Sequence, residues 1–407
     1  MGIPIGKLAL YCAAGGISPE KVLPVLIDVG TNNEELLQDS SYLGVRSNRL
    51  EGEEYLQIFD EFMETVFDRW PHVFVQFEDI ETSKAGLLLQ RYSSKYRCFN
   101  DDIQGTGCVT LSGLLTACRI SGTSLTEIKI LCVGAGSAGL GVCSMIAEGM
   151  VHNGLDRRNA MKRFVICTSK GALGREDDLY GNPNAERGIE EDHLPWVNLE
   201  VIDGTPIEKV IEEFQPTVLL GLSKQKSLFT EGILRRLSDQ CKLIGIRPIV
   251  LPMSNPLSKS ECTAEEAYLW TSGGAIVASG SPFPPVTLSN GKIYVTSQCN
   301  NMYIFPGIGL AASVGGVMKI TDKMLYRAAV ACSDIVTSEE EERGQIFPNL
   351  DKIRQISHSV AVVIIDEAIK DNLAVKCTEK EKYISISELV SRSMDFPRYL
   401  PLISSNR

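Results

Sequence analysis

Short apolar runs alternate along this chain with longer stretches whose apolar positions fall at helical spacing. Residues 22–29 (VLPVLIDV) and 72–77 (HVFVQF) predict buried strands, and residues 53–70 between them predict an amphipathic helix. That alternation points to parallel βαβ units. From about residue 101 the pattern repeats. It predicts a helix near 105–120, a strand at 128–133 (IKILCV), a glycine turn, and a helix at 137–150. Further strands are expected at 164–168, 217–221, 249–253 and 275–279. Helical spacing returns after residue 302, at 321–337 and 352–370, and the mixed stretch 371–407 is expected to wrap the surface. Thr263-Ala264-Glu265-Glu266 reads as a capping box that opens a helix. The polar segment 174–195, rich in charge, Gly, Pro and Asn, reads as a mobile loop.

The glycine turn is Gly134-Ala135-Gly136-Ser137-Ala138-Gly139, placed after an apolar strand and before a helix. In that setting the first glycine permits the tight turn, the second admits a pyrophosphate, and the third lets helix and strand pack closely. The helix N-terminus, at Ser137 and Ala138, adds N–H donors for phosphate. The fold class is therefore α/β: a Rossmann-like dinucleotide-binding domain over 101–301, plus a second α/β domain with a parallel sheet. The second domain is expected from residues 1–100 and 302–370, with 371–407 as an extension.

An Asp or Glu at the end of the next strand would bind the ribose 2′-hydroxyl of NAD. That strand ends Cys167-Thr168-Ser169-Lys170, with no acid. Thr168, Ser169 and Lys170 suit a 2′-phosphate, so NADP is expected ahead of NAD, although an ordinary strand-to-loop turn reads the same way.

Two acidic segments precede the turn, Gln76-Phe77-Glu78-Asp79 and Asn100-Asp101-Asp102. Glu78, Asp79 and Asp102 offer hard oxygens of the kind Mg²⁺ or Mn²⁺ takes at about 2.1 Å. Neighbouring acids on a strand point to opposite faces, so Glu78 and Asp79 can share an ion only where the strand bends into a loop. Taken alone, such acid pairs read as solvated loops or caps, and Lys7 as a surface lysine. Asn255, Asn300 and Asn301 stand at strand ends, where amides hydrogen-bond a carboxylate or simply make turns.

Composition narrows the function classes. The net charge is -11, which argues against a nucleic-acid partner. No apolar run reaches about 18 residues, so no membrane span is expected. The 12 Cys are scattered without metal-type pairing and read as reduced thiols of a cytoplasmic protein. The 4 His sit in no motif, which gives a histidine-based dehydrogenase mechanism little support.

In this order, the motifs resemble those of the malic enzyme family. The resemblance is carried by Gly2-Ile-Pro-Ile-Gly-Lys7, Leu26-Ile-Asp-Val-Gly-Thr31, Gln76-Phe-Glu-Asp79, Phe99-Asn-Asp-Asp-Ile-Gln-Gly-Thr106 and the glycine turn. It continues through Ser254-Asn-Pro256, Glu261-Cys-Thr-Ala-Glu-Glu-Ala-Tyr268, Ala278-Ser-Gly-Ser-Pro-Phe283 and Asn300-Asn-Met-Tyr-Ile-Phe-Pro-Gly307. It implies oxidative decarboxylation of L-malate to pyruvate and CO₂. Glu78, Asp79 and Asp102 would hold Mg²⁺ or Mn²⁺, and Lys7 would be the general base, assisted by Asp101. Asn255, Asn300 and Asn301 would hold malate and the nicotinamide end. The resemblance also implies a homo-oligomer. A helical region that the family carries ahead of residue 2, with a proton-donating Tyr, a malate-binding Arg and part of the dimer interface, is expected to be missing. The alternatives are a non-catalytic NADP-binding subunit or a truncated isoform joining a full-length partner and, with less support, an amino-acid dehydrogenase.

Overall fold

The computed structural model describes residues 2–175, 191–375 and 384–396. Most of the segment read as a mobile loop, and residues 376–383 and 397–407 of the last stretch, lie outside the described residues. In chain order the strands are β1 (Val75–Phe77), β2 (Cys98–Asn100), β3 (Ile130–Val133), β4 (Phe164–Thr168), β5 (Gly171–Ala172), β6 (Gly174–Arg175) and β7 (Asn198–Ile202). They continue as β8 (Val218–Gly221), β9 (Ile249–Pro252), β10 (Ile276–Ser279), β11 (Val286–Thr287), β12 (Ile293–Tyr294) and β13 (Ser297–Gln298).

The main sheet runs β13-β10-β9-β8-β3-β4-β5 and is parallel except for the β4–β5 pair. Alternate residues of a strand face opposite sides. Accordingly Ile130 and Cys132 join one apolar cluster and Leu131 and Val133 the other. Both faces are covered, which is why these strands read as unbroken apolar runs. This is the expected α/β architecture. The strand order switches side at β3, whose neighbours are β4 on one side and β8 on the other. A crevice opens at the carboxyl ends of the strands at such a point.

The helix Thr106–Ser121 lies against one face of that sheet, and the helices Asp322–Ser333, Ile353–Lys370 and Phe305–Gly315 complete the larger cluster. The predicted helix at 53–70 is present as Gly52–Arg69, and Thr263 forms the expected capping box. The strand at 72–77 shrinks to β1, which pairs only with β2 in a separate two-stranded parallel sheet.

The strand expected at 22–29 does not form. The segment is irregular, and Leu23, Val25 and Leu26 are exposed. A strand needs a ladder as well as apolar side chains. Pro24 has no N–H to give, and the bonds this stretch does make come late, from Leu50 N to Val29 O and from Thr31 N to Ser47 O.

Candidate active site

At the end of β3 the chain turns sharply. Gly134 has φ +121 and its N–H donates to Cys167 O on β4. A Cβ on Gly139 would lie 2.0 Å from Gly134 O, so only glycine lets the turn close onto the helix Ser137–His152. Helix geometry leaves the N–H groups of Ser137, Ala138 and Gly139 without partners inside that helix. Ala135 O meets the His193 ring nitrogen Nε2 at 3.0 Å, a neighbour no sequence motif announced.

The acidic segments stand beside this turn. β1 ends at Phe77 and the chain bends at once, with Asp79 in the left-handed region at φ 56. This is the bend that Glu78 and Asp79 need in order to face one place. Beyond β2, residues Asp101–Gly105 form a single π-helical turn that feeds the helix Thr106–Ser121. Its Ile103 packs on the helix Ser137–His152 at Gly141, and Thr82 packs at Gly136. The metal-type acids and the phosphate-type turn are thus neighbours.

Lys7, on the helix Gly2–Ala13, joins the two acidic segments. Its ammonium pairs with Asp101 Oδ2 and reaches Glu78 Oε1 at 3.0 Å, above the Phe305 ring at 4.4 Å. Asp101 is fully buried, and its Oδ2 also accepts from Asn301 Nδ2 at 3.1 Å. Its Oδ1 has no hydrogen-bond partner and sits over Gly105, where a Cβ would meet it at 1.9 Å. Glu78 Oε2 accepts from Gln76 Nε2 at 2.9 Å, and the Tyr11 hydroxyl donates to Gln76 Oε1. Asp102 Oδ2 accepts from the Asp79 main-chain N–H at 2.7 Å.

Burial sets the electrostatics. It raises the Glu78 carboxyl to about 7, with the Asp101 charge adding to it. It raises Asp101 and Asp102 as well. For Lys7, burial alone would lower the pKa, but Asp101 and then Glu78 outweigh it and the ammonium is held above its usual range. The carboxylates around the amine hold its proton in place.

Among the described residues no three His, Cys, Asp or Glu side chains converge closely enough to hold a metal. Asp79 offers Asp102 its N–H, not its carboxylate. The donor chemistry nevertheless fits a hard dication. One ammonium faces the buried carboxylate of Asp101 and the half-buried carboxylates of Glu78 and Asp102, and one buried oxygen of Asp101 is left without a partner. Added positive charge would relieve that excess.

The three amides separate. Asn301 enters the site, with Nδ2 on Asp101 and on Thr106 Oγ1 at 3.0 Å. Asn300 instead caps the turn Asn301–Tyr303 by accepting from Met302 N. Asn255 stands in the loop after β9, in a cis Asn255–Pro256 bond, and accepts from Ser281 Oγ. The Thr168 hydroxyl is engaged in its own turn, accepting from Lys170 N at 3.0 Å and donating to Gly171 O at 3.3 Å. Ser169 and Lys170 are exposed. A cavity of about 1320 Å³ opens over Lys7, Tyr11, Gln76, Glu78 and Asp79.

Two family models match this chain: "Malic enzyme, NAD binding domain" over residues 103–369 and "Malic enzyme, N-terminal domain" over residues 1–93. The chain belongs to the malic enzyme family. The match over residues 1–93 gives no support to the expectation that the family's N-terminal region is missing. The NAD-dependent malic enzyme 2, mitochondrial, of Arabidopsis thaliana is 41% identical over 99% of this chain and 67% of its own length. The NAD-dependent malic enzyme of Pseudomonas aeruginosa is 41% identical over 98% of this chain and 69% of its own. The chain thus spans about two thirds of the length of such relatives. The crystal structure of the Entamoeba histolytica malic enzyme superposes with a TM-score of 0.69 at 24% identity, covering 96% of this chain and 68% of that one. That of Pyrococcus horikoshii gives 0.66 at 22% identity, covering 96% and 75%. Both share the fold. No helix among the described residues is long and apolar enough to cross a membrane.

Proposed function

We propose that this malic enzyme chain converts L-malate to pyruvate and CO₂ and passes the hydride to NAD. The observation that carries the reading is the Lys7–Asp101–Glu78 cluster set beside the glycine turn. The malate C2 hydroxyl would give its proton to Lys7 Nζ while the C2 hydride leaves for the nicotinamide. Asp101 and Asn301 would fix the direction of that amine. The C3–C4 bond then breaks, CO₂ leaves, and the electron pair remains on the three-carbon product until a proton returns. Glu78, Asp79 and Asp102 would hold Mg²⁺ or Mn²⁺. Such an ion supplies Lewis-acid polarisation and charge neutralisation. Lys7 must be neutral to take a proton, so the ammonium favoured by Asp101 and Glu78 has first to be discharged.

NAD is proposed rather than NADP on two grounds. The relatives at 41–42% identity are named NAD-dependent. The Thr168 hydroxyl, expected to bind a 2′-phosphate, is engaged within its turn. Asp79 meeting Asp102 through its main-chain N–H rather than its carboxylate favours a second reading, a dinucleotide-binding chain without turnover. The deciding assay is nicotinamide reduction from malate with Mn²⁺, run with NAD and with NADP. Reduction of NAD at higher kcat/KM supports the proposal. Dinucleotide binding with no malate-dependent reduction sinks it in favour of the second reading.

A further inference from the structure

Glu261 is fully buried and has no ammonium or guanidinium partner among the described ion pairs. Its charge is met by hydrogen-bond donors from two loops. Oε1 accepts from Ser223 N and Ser223 Oγ, both at 2.9 Å, and from Ser254 Oγ at 2.5 Å; Oε2 accepts from Ser254 N at 3.4 Å. Ser254 Oγ in turn accepts from Lys224 N at 2.8 Å, and Lys224 is held in the left-handed region at φ 57. A non-glycine residue stays there only where its surroundings enforce it.

The two loops are the carboxyl-end continuations of β8 and β9. Leu222 N donates to Val133 O, the last residue before the glycine turn, and Ser254 precedes Asn255. The far half of a dinucleotide that enters at the glycine turn must run along these strand ends. A buried carboxylate that gathers four donors is costly to bury unless each bond is made, so it fixes the groups around it.

We propose that Glu261 is a positioning residue for the dinucleotide. It ties residues 222–224 to residues 254–255 and so sets the width of the crevice that receives the nicotinamide half. This deepens the proposed function and rests on it. Glu261 touches neither cofactor nor malate and acts through Ser223 and Ser254.

The test compares wild type, Glu261→Gln and Ser254→Ala. Gln keeps the volume but replaces one acceptor oxygen with an amide donor that faces the same loop donors. Ser254→Ala leaves the buried charge in place and removes the bridge to Lys224. NADH affinity is read by fluorescence, KM for NAD and for malate by steady-state kinetics, and folding by thermal melting. The expected result is a rise of about tenfold to a hundredfold in the NADH Kd and the NAD KM of Glu261→Gln, with malate KM within about twofold. A smaller rise of the same kind is expected for Ser254→Ala. Unchanged NADH binding in a folded Glu261→Gln overturns the proposal, as does malate KM rising in step with NAD KM. If Glu261→Gln does not fold, Ser254→Ala decides by the same two readouts. A wild type that binds no NADH overturns the reading of the crevice itself, a result distinct from either.

Discussion

Lys7 and Asp101 stand 94 positions apart in sequence, yet the ammonium of one rests on the fully buried carboxylate of the other. The pair joins the first helix to the π turn, and Glu78 and Asn301 complete it. Lys7→Met should keep the fold and lose about 10²- to 10⁴-fold in malate turnover, the usual worth of a positioned proton-transfer group. Melting beside kcat checks it. Activity within a few-fold of wild type would remove Lys7 from the chemistry.

Metal binding should depend on Asp102 more than on any surface acid. Asp102→Asn removes both a ligand oxygen and a charge. Calorimetry with Mn²⁺ is expected to show most of the affinity gone. A chelator added to the wild type should stop malate turnover and leave NADH binding in place. Mn²⁺ affinity equal to that of the wild type in Asp102→Asn would place the ion elsewhere.

Gly139→Ala should abolish dinucleotide binding. The added methyl would meet Gly134 O, and the turn could not keep its shape. NADH titration reads the effect directly, and the oxaloacetate-decarboxylating half of the reaction, assayed with Mn²⁺, should persist. An NADH Kd that does not move would separate this turn from the cofactor.

Acid should weaken the fold through Glu340. Burial alone would push this carboxyl up, but donors from Thr337 N and Asn349 N, with the Lys352 ammonium at 3.0 Å, bring it down to about 2. Its folded value lies below its unfolded one. The stabilisation is therefore complete above the ordinary glutamate pKa of about 4.3 and is lost as pH falls towards 2. Its full worth is on the order of 3 kcal/mol. Urea midpoints measured between pH 6 and pH 3 should fall, and Glu340→Gln should be less stable at pH 6 with a flatter pH profile. Parallel profiles for the two proteins would contradict this.

Where local geometry decides, the sequence carries the answer in plain form. Gly134 and Gly139 mark a turn because no side chain fits there, and Glu53 to Arg69 mark a helix because their apolar positions share one face. The acids 78, 79, 101 and 102 stand out in the sequence because two motifs name them, but the directions of their side chains do not. Apolar content alone misled at 22–29, since it records a wish for burial and says nothing about whether a neighbouring ladder exists. Partners distant in sequence were hidden for the same reason. Nothing around Gln76 says that Tyr11 will reach it, and nothing in Asn300-Asn301 says which amide caps a turn and which meets Asp101. Thr168 reads as an available hydroxyl in sequence, and its bond to Gly171 O, which engages it, leaves no mark there.

The π turn at Asp101–Gly105 carries one residue more than an α-helical turn would. Thr106 N returns to Asp101 O, five positions back. That extra residue acts as a phase shifter between two rigid segments. An α-helix advances by roughly 100° per residue, so a chain one residue shorter here would arrive at the helix Thr106–Ser121 in a different angular setting. Either its apolar side would miss the sheet, or Asp101 and Asp102 would swing away from Lys7. Length between residues 100 and 106 is thus as constrained as identity, and single-residue deletions should be tolerated far less well there than substitutions.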